Sequence, residues 1–228
     1  MEIIIINLPR RKDRYNAMVR KITEITSGNI MPYAFTAAFD GRDLPNFPKT
    51  MDTANKFACL LSHISAFEYA FDKNDVIVIL EDDVIFATDF VFKLNIFLKY
   101  IPEDWDLAYL GIYSMNPIIE PVVTVNITAT RPDDKIAIID EKYKISKLIS
   151  GCTGAFAYVI NGKKPHRFKE LMEVLNKHEN YIDNTLTDFH KKLNVYALIP
   201  TICAVEPGYS DISERVVDHI PTKHLFKM

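Results

Sequence analysis

Three consecutive carboxylates, Glu81, Asp82 and Asp83, close the apolar stretch that begins at Val76 in VIVILEDDVIF. Side by side they repel one another, so the arrangement costs stability unless a cation or an array of donors sits against it. A divalent ion of the Mg²⁺ or Mn²⁺ type answers that need, because it takes one or two carboxylates together with phosphate oxygens. Beside a diphosphate such an ion acts as Lewis acid and template. A second charged cluster, RRKDR from Arg10 to Arg14, places Arg11 and Arg14 three apart on one face of a first helical turn. Cations there oppose the helix dipole. The pair is either a solvated basic end or a place where an anion meets free N–H groups and arginine forks. In Gly151-Cys152-Thr153-Gly154-Ala155 the small residues admit either a ligand or a tightly packed neighbouring strand. Ser62 and His63 interrupt an apolar helix face, and a lone histidine in such a place is first of all structural. Asp183 and Asp188 read by default as helix caps or solvated acids.

The elements that must position these groups alternate. Ile3 to Ile6 form a buried strand, and a helix from Arg10 to Ile25 carries Met18, Ile22 and Ile25 as its apolar stripe. Met31 to Phe39 gives a short strand and loop, and Lys56 to Phe71 a helix with Phe57, Leu60, Ile64 and Phe67 inward. Val76 to Leu80 run apolar without alternation, as in a parallel strand covered on both faces, whose carboxyl end is where ligands bind. A helix over Val91 to Tyr100 and a strand over Trp105 to Gly111 follow, and Gly111 allows close backbone approach. From Ile112 to Ser150, β-branched runs and prolines break the rhythm and indicate a β-rich insertion with a charged tip at Arg131 to Lys135. The remainder reads as a strand over Phe156 to Ile160, a helix over Pro165 to His178, a loop entering a short helix over Tyr181 to Asp188, a strand over Val195 to Ile199 and a loop from Val205 to Ser213. The fold class is α/β: a Rossmann-like mixed sheet flanked by helices, with the β-rich insertion. One domain over residues 1–228 is expected, with a nucleotide-binding half at 1–111 and an acceptor-side half at 112–228.

A net charge of −3 disfavours a nucleic acid or an anionic membrane as partner. Cys59, Cys152 and Cys203 are an odd set without C-x-x-C spacing, and read as reduced thiols in a cytoplasmic protein. The first apolar run is too short for a signal peptide, and none reaches the roughly 18 residues of a transmembrane segment. Neither G-x-x-x-x-G-K-S/T nor G-x-G-x-x-G is present, which leaves a nucleotide-sugar transferase ahead of a kinase or dehydrogenase. Oligomeric state, a homodimer included, is left open.

Six segments in order then carry a resemblance. They are Ile5-Ile6-Asn7-Leu8 with Arg10-Arg11-x-Asp13-Arg14; Ala58-Cys59-x-x-Ser62-His63; Ile79-Leu80-Glu81-Asp82-Asp83-Val84; Trp105-Asp106 with Leu110-Gly111; Gly151-x-Thr153-Gly154-Ala155; and Ser210-Asp211-Ile212. Together they resemble glycosyltransferase family 25, which includes lipooligosaccharide galactosyltransferases and the collagen hydroxylysine galactosyltransferase domain. The resemblance implies a GT-A fold, a UDP-hexose donor (galactose or glucose), Mn²⁺ or Mg²⁺, inversion at the anomeric carbon, and a glycan, lipooligosaccharide or hydroxylysine acceptor. It also implies that Glu81-Asp82-Asp83 stands in for the D-x-D element, with Asp83 and Glu81 at the metal and Glu81 and Asp82 toward the nucleotide. Asn7, Leu8, Arg11 and Arg14 match the segment at the nucleotide, Ser62 and His63 the donor-site helix, and Thr153 with Gly154 the glycine-threonine pair. Ala58 stands where the family often has glycine, and Phe156-Ala157 replaces a histidine-containing segment. By position in GT-A enzymes Asp183 is the expected general base, with Asp188 second, and Asp211, His219 or His224 the third metal ligand. The competing readings are a non-catalytic nucleotide-sugar or glycan-binding module and a metal-dependent phosphohydrolase.

Overall fold

The computed structural model describes residues 1–26, 31–130 and 138–218. In chain order the strands and helices are β1 (Glu2–Asn7), α1 (Lys12–Ile25), β2 (Tyr33–Ala37), α2 (Ala54–Lys73), β3 (Val76–Glu81), β4 (Val84–Phe86), α3 (Phe90–Tyr100), β5 (Leu107–Tyr109), β6 (Tyr113–Thr130), β7 (Ile138–Thr153), β8 (Ala157–Asn161), α4 (Lys169–Leu175), α5 (Ile182–Phe189), β9 (Val195–Ile199), β10 (Cys203–Val205), β11 (Gly208–Ser210) and β12 (Arg215–Val217).

The isoleucine run of β1 is buried on both sides. Because side chains alternate along a strand, Ile3 and Ile5 enter one core cluster with Met18 and Ile22 of α1 and Phe90, Leu94 and Phe97 of α3. Ile4 and Ile6 enter the other, with Leu60, Ile64 and Phe67 of α2, Leu171 and Leu175 of α4, and Leu186 and Phe189 of α5. These are the two faces of an eight-stranded sheet in the order β2-β1-β3-β8-β5-β9-β7-β6. The stretch between Lys56 and Phe71 lengthens into α2 because Thr53 caps it, its side chain accepting the Lys56 N–H at 3.3 Å. It ends where Asn74 turns left-handed, at φ 50°.

β3 pairs parallel with β1 but antiparallel with β8. Its unalternating sequence therefore reflects helices on both faces rather than an all-parallel sheet. The antiparallel partner matters for position, since Leu80 lies opposite Ala157 and the Glu81 N–H donates to the Phe156 carbonyl at 2.8 Å. The start of β8 is thereby set beside the end of β3. β6 and β7 form the long antiparallel hairpin expected of the insertion, with register shifts where Pro117 and Pro121 fall; its charged tip lies outside the described residues. β7 then docks on β9.

Several boundaries differ from the expectation. The strand from Trp105 to Gly111 shortens to β5, and a Cβ on Gly111 would come within 2.3 Å of the Phe156 ring. The close approach at Gly111 is thus made by the protein's own side chain. The helix expected over Pro165 to His178 divides into a 3-10 turn at Pro165–Phe168 and the shorter α4. Asp183 sits in the first turn of α5 rather than in a loop. The segment after Val205 is partly strand, with β11 against β12, and β10 just before it pairs with β4.

Candidate active site

A cleft of about 270 Å³ opens at the carboxyl ends of β1 and β3, lined among others by Leu8, Arg10, Ser62, His63, Phe156 and Asp183, with the acidic triplet at its base. The three acids are partnered differently. Asp82 is buried, its Oδ2 accepting from Asn7 Nδ2 at 2.7 Å and its Oδ1 from Arg14 Nη1 at 2.7 Å. Glu81 and Asp83, two residues apart, are less fully paired: Glu81 Oε1 has His63 Nε2 at 3.2 Å and Asp83 Oδ2 has Arg14 Nη1 at 3.1 Å. Burial, reinforced by Asp183 and Asp82, raises the Glu81 carboxyl to about 8. Burial, with Glu81 as the next cause, raises Asp83 to about 7 despite Arg14 Nη1 at 3.1 Å from its Oδ2. Asp83 Oδ1 is buried without a hydrogen-bond partner among the described residues. An orphaned carboxyl oxygen with a second carboxyl in the same cleft is a donor set that fits a hard divalent cation.

His63 is enclosed within α2. Its Nδ1 lies 2.8 Å from the Tyr158 hydroxyl and its Nε2 3.2 Å from Glu81 Oε1, and burial lowers it to about 4. It is therefore a neutral imidazole that orients Glu81. Ser62 donates to the Ala58 carbonyl at 2.7 Å and accepts the Phe39 N–H at 2.9 Å, tying α2 to the end of β2.

The arginines are occupied. Arg14 holds Asp82 and Asp83 and donates to the Tyr209 carbonyl at 2.6 Å. Arg11 pairs with Asp13 and Asp211. The anion-docking expectation for Arg11 and Arg14 thus gives way to internal ion pairs, because the chain's own acids lie within reach. Arg10, unassigned from the sequence, lines the cleft and bridges Asp40 and Asp211, each at 2.7 Å. Asp211 consequently has each oxygen taken by a guanidinium. It clamps the C-terminal segment to the start of α1 at the edge of the cleft. His219 and His224 lie outside the described residues.

Asp183 faces the triplet across the cleft. Its Oδ1 accepts N–H groups from Gly154 at 2.9 Å and Ala155 at 2.7 Å. Gly154 reaches this geometry at φ 137°, a conformation few side chains tolerate. Neither Thr153 nor Gly154 is among the lining residues; the small-residue segment acts by presenting backbone donors to Asp183. Asp188 is exposed on the last turn of α5 and does not line the cleft, which removes it as the second candidate base. Asn7 likewise contributes by holding Asp82. Arg10, Asp40, Cys59 and Tyr113 line the cleft without a role assigned to them individually from the sequence, although Arg10 and Cys59 lie within the quoted motifs and Asp40 opens a turn suited to a ribose or donor-sugar contact.

The sequence model of glycosyltransferase family 25 (LPS biosynthesis protein) matches residues 1–186. Mouse procollagen galactosyltransferase 2 is 32% identical over 127 residues, covering 48% of this chain and 20% of that protein. A protein of Acanthamoeba polyphaga mimivirus named as a glycosyltransferase is 29% identical over 185 residues, covering 74% of this chain and 52% of that one. The human inactive glycosyltransferase 25 family member 3 is 27% identical over 139 residues, covering 54% and 23%. The chain thus spans between one fifth and about half the length of these relatives. With the family match running from β1 through the acidic triplet to α5, the chain belongs to glycosyltransferase family 25.

Proposed function

We propose that this protein is a metal-dependent, inverting glycosyltransferase that moves a hexose, galactose or glucose, from a UDP-sugar to a glycan or hydroxylysine-type acceptor. The observation that carries the reading is that Asp183, Glu81 and Asp83 line one cleft, with Asp83 Oδ1 buried and unpartnered among the described residues. Glu81 and Asp83 would hold Mn²⁺ or Mg²⁺, and the ion when bound neutralises charge on the leaving diphosphate. Arg14 keeps Asp83 in place, and His63 does the same for Glu81. Asp183, fixed through Oδ1 by two N–H groups, offers Oδ2 to take the acceptor hydroxyl's proton as the sugar is attacked from the face opposite the diphosphate. Tyr113, packed edge-on to Phe156 with ring centroids 5.2 Å apart, lines the same cleft. The halves 1–111 and 112–228 divide these tasks, the first supplying the metal-binding acids and the second the base.

The procollagen galactosyltransferase names among the relatives support galactose and a collagen-type acceptor. Among the described residues no helix is long and apolar enough to cross a membrane.

The test is a UDP-hexose hydrolysis panel with Mn²⁺ and with EDTA, together with melting curves. One UDP-hexose should be hydrolysed only with metal, and Mn²⁺ with UDP should raise the melting temperature, a shift that Asp83→Ala largely removes. Absence of any ligand-induced shift sinks the reading. Binding without turnover favours instead a nucleotide-sugar-binding module, as the relative named inactive would suggest.

A further inference from the structure

Cys59 and His63 lie four apart on α2 and project from one face of it toward Glu81 at the end of β3. One ligand atom from each lies within 4.8 Å of the other two. We propose that Cys59, His63 and Glu81 form a binding site for a thiophilic divalent cation of the zinc class, and that its occupancy inhibits the enzyme. The inhibitory half rests on the function proposed above; the binding half does not.

Bonds of about 2.0 to 2.3 Å from a tetrahedral ion set its ligands roughly 3.3 to 3.8 Å apart, and His63 Nε2 already stands 3.2 Å from Glu81 Oε1. Histidines that bind metal are oriented through their other ring nitrogen. Here the Tyr158 hydroxyl supplies that partner, 2.8 Å from Nδ1. All three ligands line the cleft, so a fourth position opens to water or substrate. Sulfur and imidazole select zinc over magnesium or manganese. Burial pushes the Cys59 thiol up, so the ion must displace its proton, which leaves to solvent as the sulfur–metal bond forms. The imidazole stays neutral, with its remaining proton on Nδ1 and directed at Tyr158. Inhibition follows because Glu81 cannot serve this ion and also partner Asp83 at the hard-metal position.

The experiment is a Co²⁺ titration of the metal-stripped full chain, read by absorption, followed by Zn²⁺ competition. A thiolate-to-cobalt charge-transfer band should appear, be displaced by Zn²⁺, vanish in Cys59→Ala and persist in Cys203→Ala, with circular dichroism checking that both variants fold. In the Mn²⁺-dependent hydrolysis assay, Cys59→Ala should need at least tenfold more Zn²⁺ than the native chain for half inhibition of its own activity. No band in the native chain, or a band surviving in Cys59→Ala, overturns the site. A band with hydrolysis indifferent to Zn²⁺ overturns the inhibition. A band that behaves as expected in a protein that hydrolyses no UDP-hexose upholds the site while defeating the function it was coupled to.

Discussion

Asp82 and Asp83 are chemically identical neighbours, yet the fold treats them oppositely. Asp82 has both oxygens satisfied by Asn7 and Arg14, whereas Asp83 keeps a buried oxygen with no partner among the described residues. Replacing Asp82 by Ala should therefore cost stability, about 1 to 3 kcal/mol for the partners left unpaired, measurable by denaturant unfolding. Asp183→Asn should behave differently. The amide oxygen can still accept from Gly154 and Ala155, so folding and donor binding should persist while turnover falls by about 10²- to 10⁴-fold, the usual worth of a general base. Equal turnover in the variant would remove Asp183 from that role. The triplet's charge was legible in the sequence, since three adjacent acids closing an apolar run repel one another and call for a counter-charge. The division of labour within it was not, because it depends on Asn7 and Arg14, 75 and 68 residues away from Asp82. Arg14 misled for the same reason, since Asp82, Asp83 and Tyr209 lie far along the chain, and Arg11 is tied both to nearby Asp13 and to distant Asp211.

The parallel core, β1 with β3, and the helices that cover it were written in local periodicity: the isoleucine run and the spacing of Phe57, Leu60, Ile64 and Phe67. The direction of β8 was not, because strand pairing leaves no mark on a strand buried on both faces. That direction brings Gly154 and Ala155 to Asp183. Gly154→Ala would require an alanine at φ 137°, with its Cβ 3.0 Å from the Phe156 ring and 3.1 Å from the Ile112 Cα. The expected result is a loss of roughly 1 to 3 kcal/mol from backbone strain, with reduced turnover as the N–H donors tilt away from Asp183. Where α5 ends, His190 is buried 3.2 Å from the Tyr109 hydroxyl, and burial lowers it from the ordinary 6.5 to about 4. The unfolded chain binds this proton more readily than the folded one. The contribution of neutral His190 is thus intact above pH 6.5 and is lost as pH falls from 6.5 toward 4. Melting temperature against pH should show a shallower acid decline in His190→Gln than in the native protein; parallel curves would refute this.

At the scale of the molecule, the cleft is closed by a segment beyond the region matched by the family model, which ends at residue 186. β10 pairs with β4, the Glu206 N–H donates to the Asp83 carbonyl at 2.8 Å, and Asp211 joins Arg10 and Arg11. Removing that last tie in Asp211→Ala should leave the sheet intact but speed amide exchange across residues 208–217 by about 10- to 150-fold, since charge-assisted bonds are worth some 1.5 to 3 kcal/mol. Exchange in β1 and β3 should not change.

The contact between Arg11 and Asp211 joins residues 200 apart in sequence. Closing so large a loop is entropically slow and waits on the local contacts that precede it. On a ribosome, the acids of the triplet would emerge and β1 to β3 could pair well before residue 206 exists. Competence should consequently lag behind compaction: in pulse-labelled refolding, amides of the sheet would gain protection first and those at residues 205–211 last. The nascent chain would pass through a stage that is folded but still open at the site.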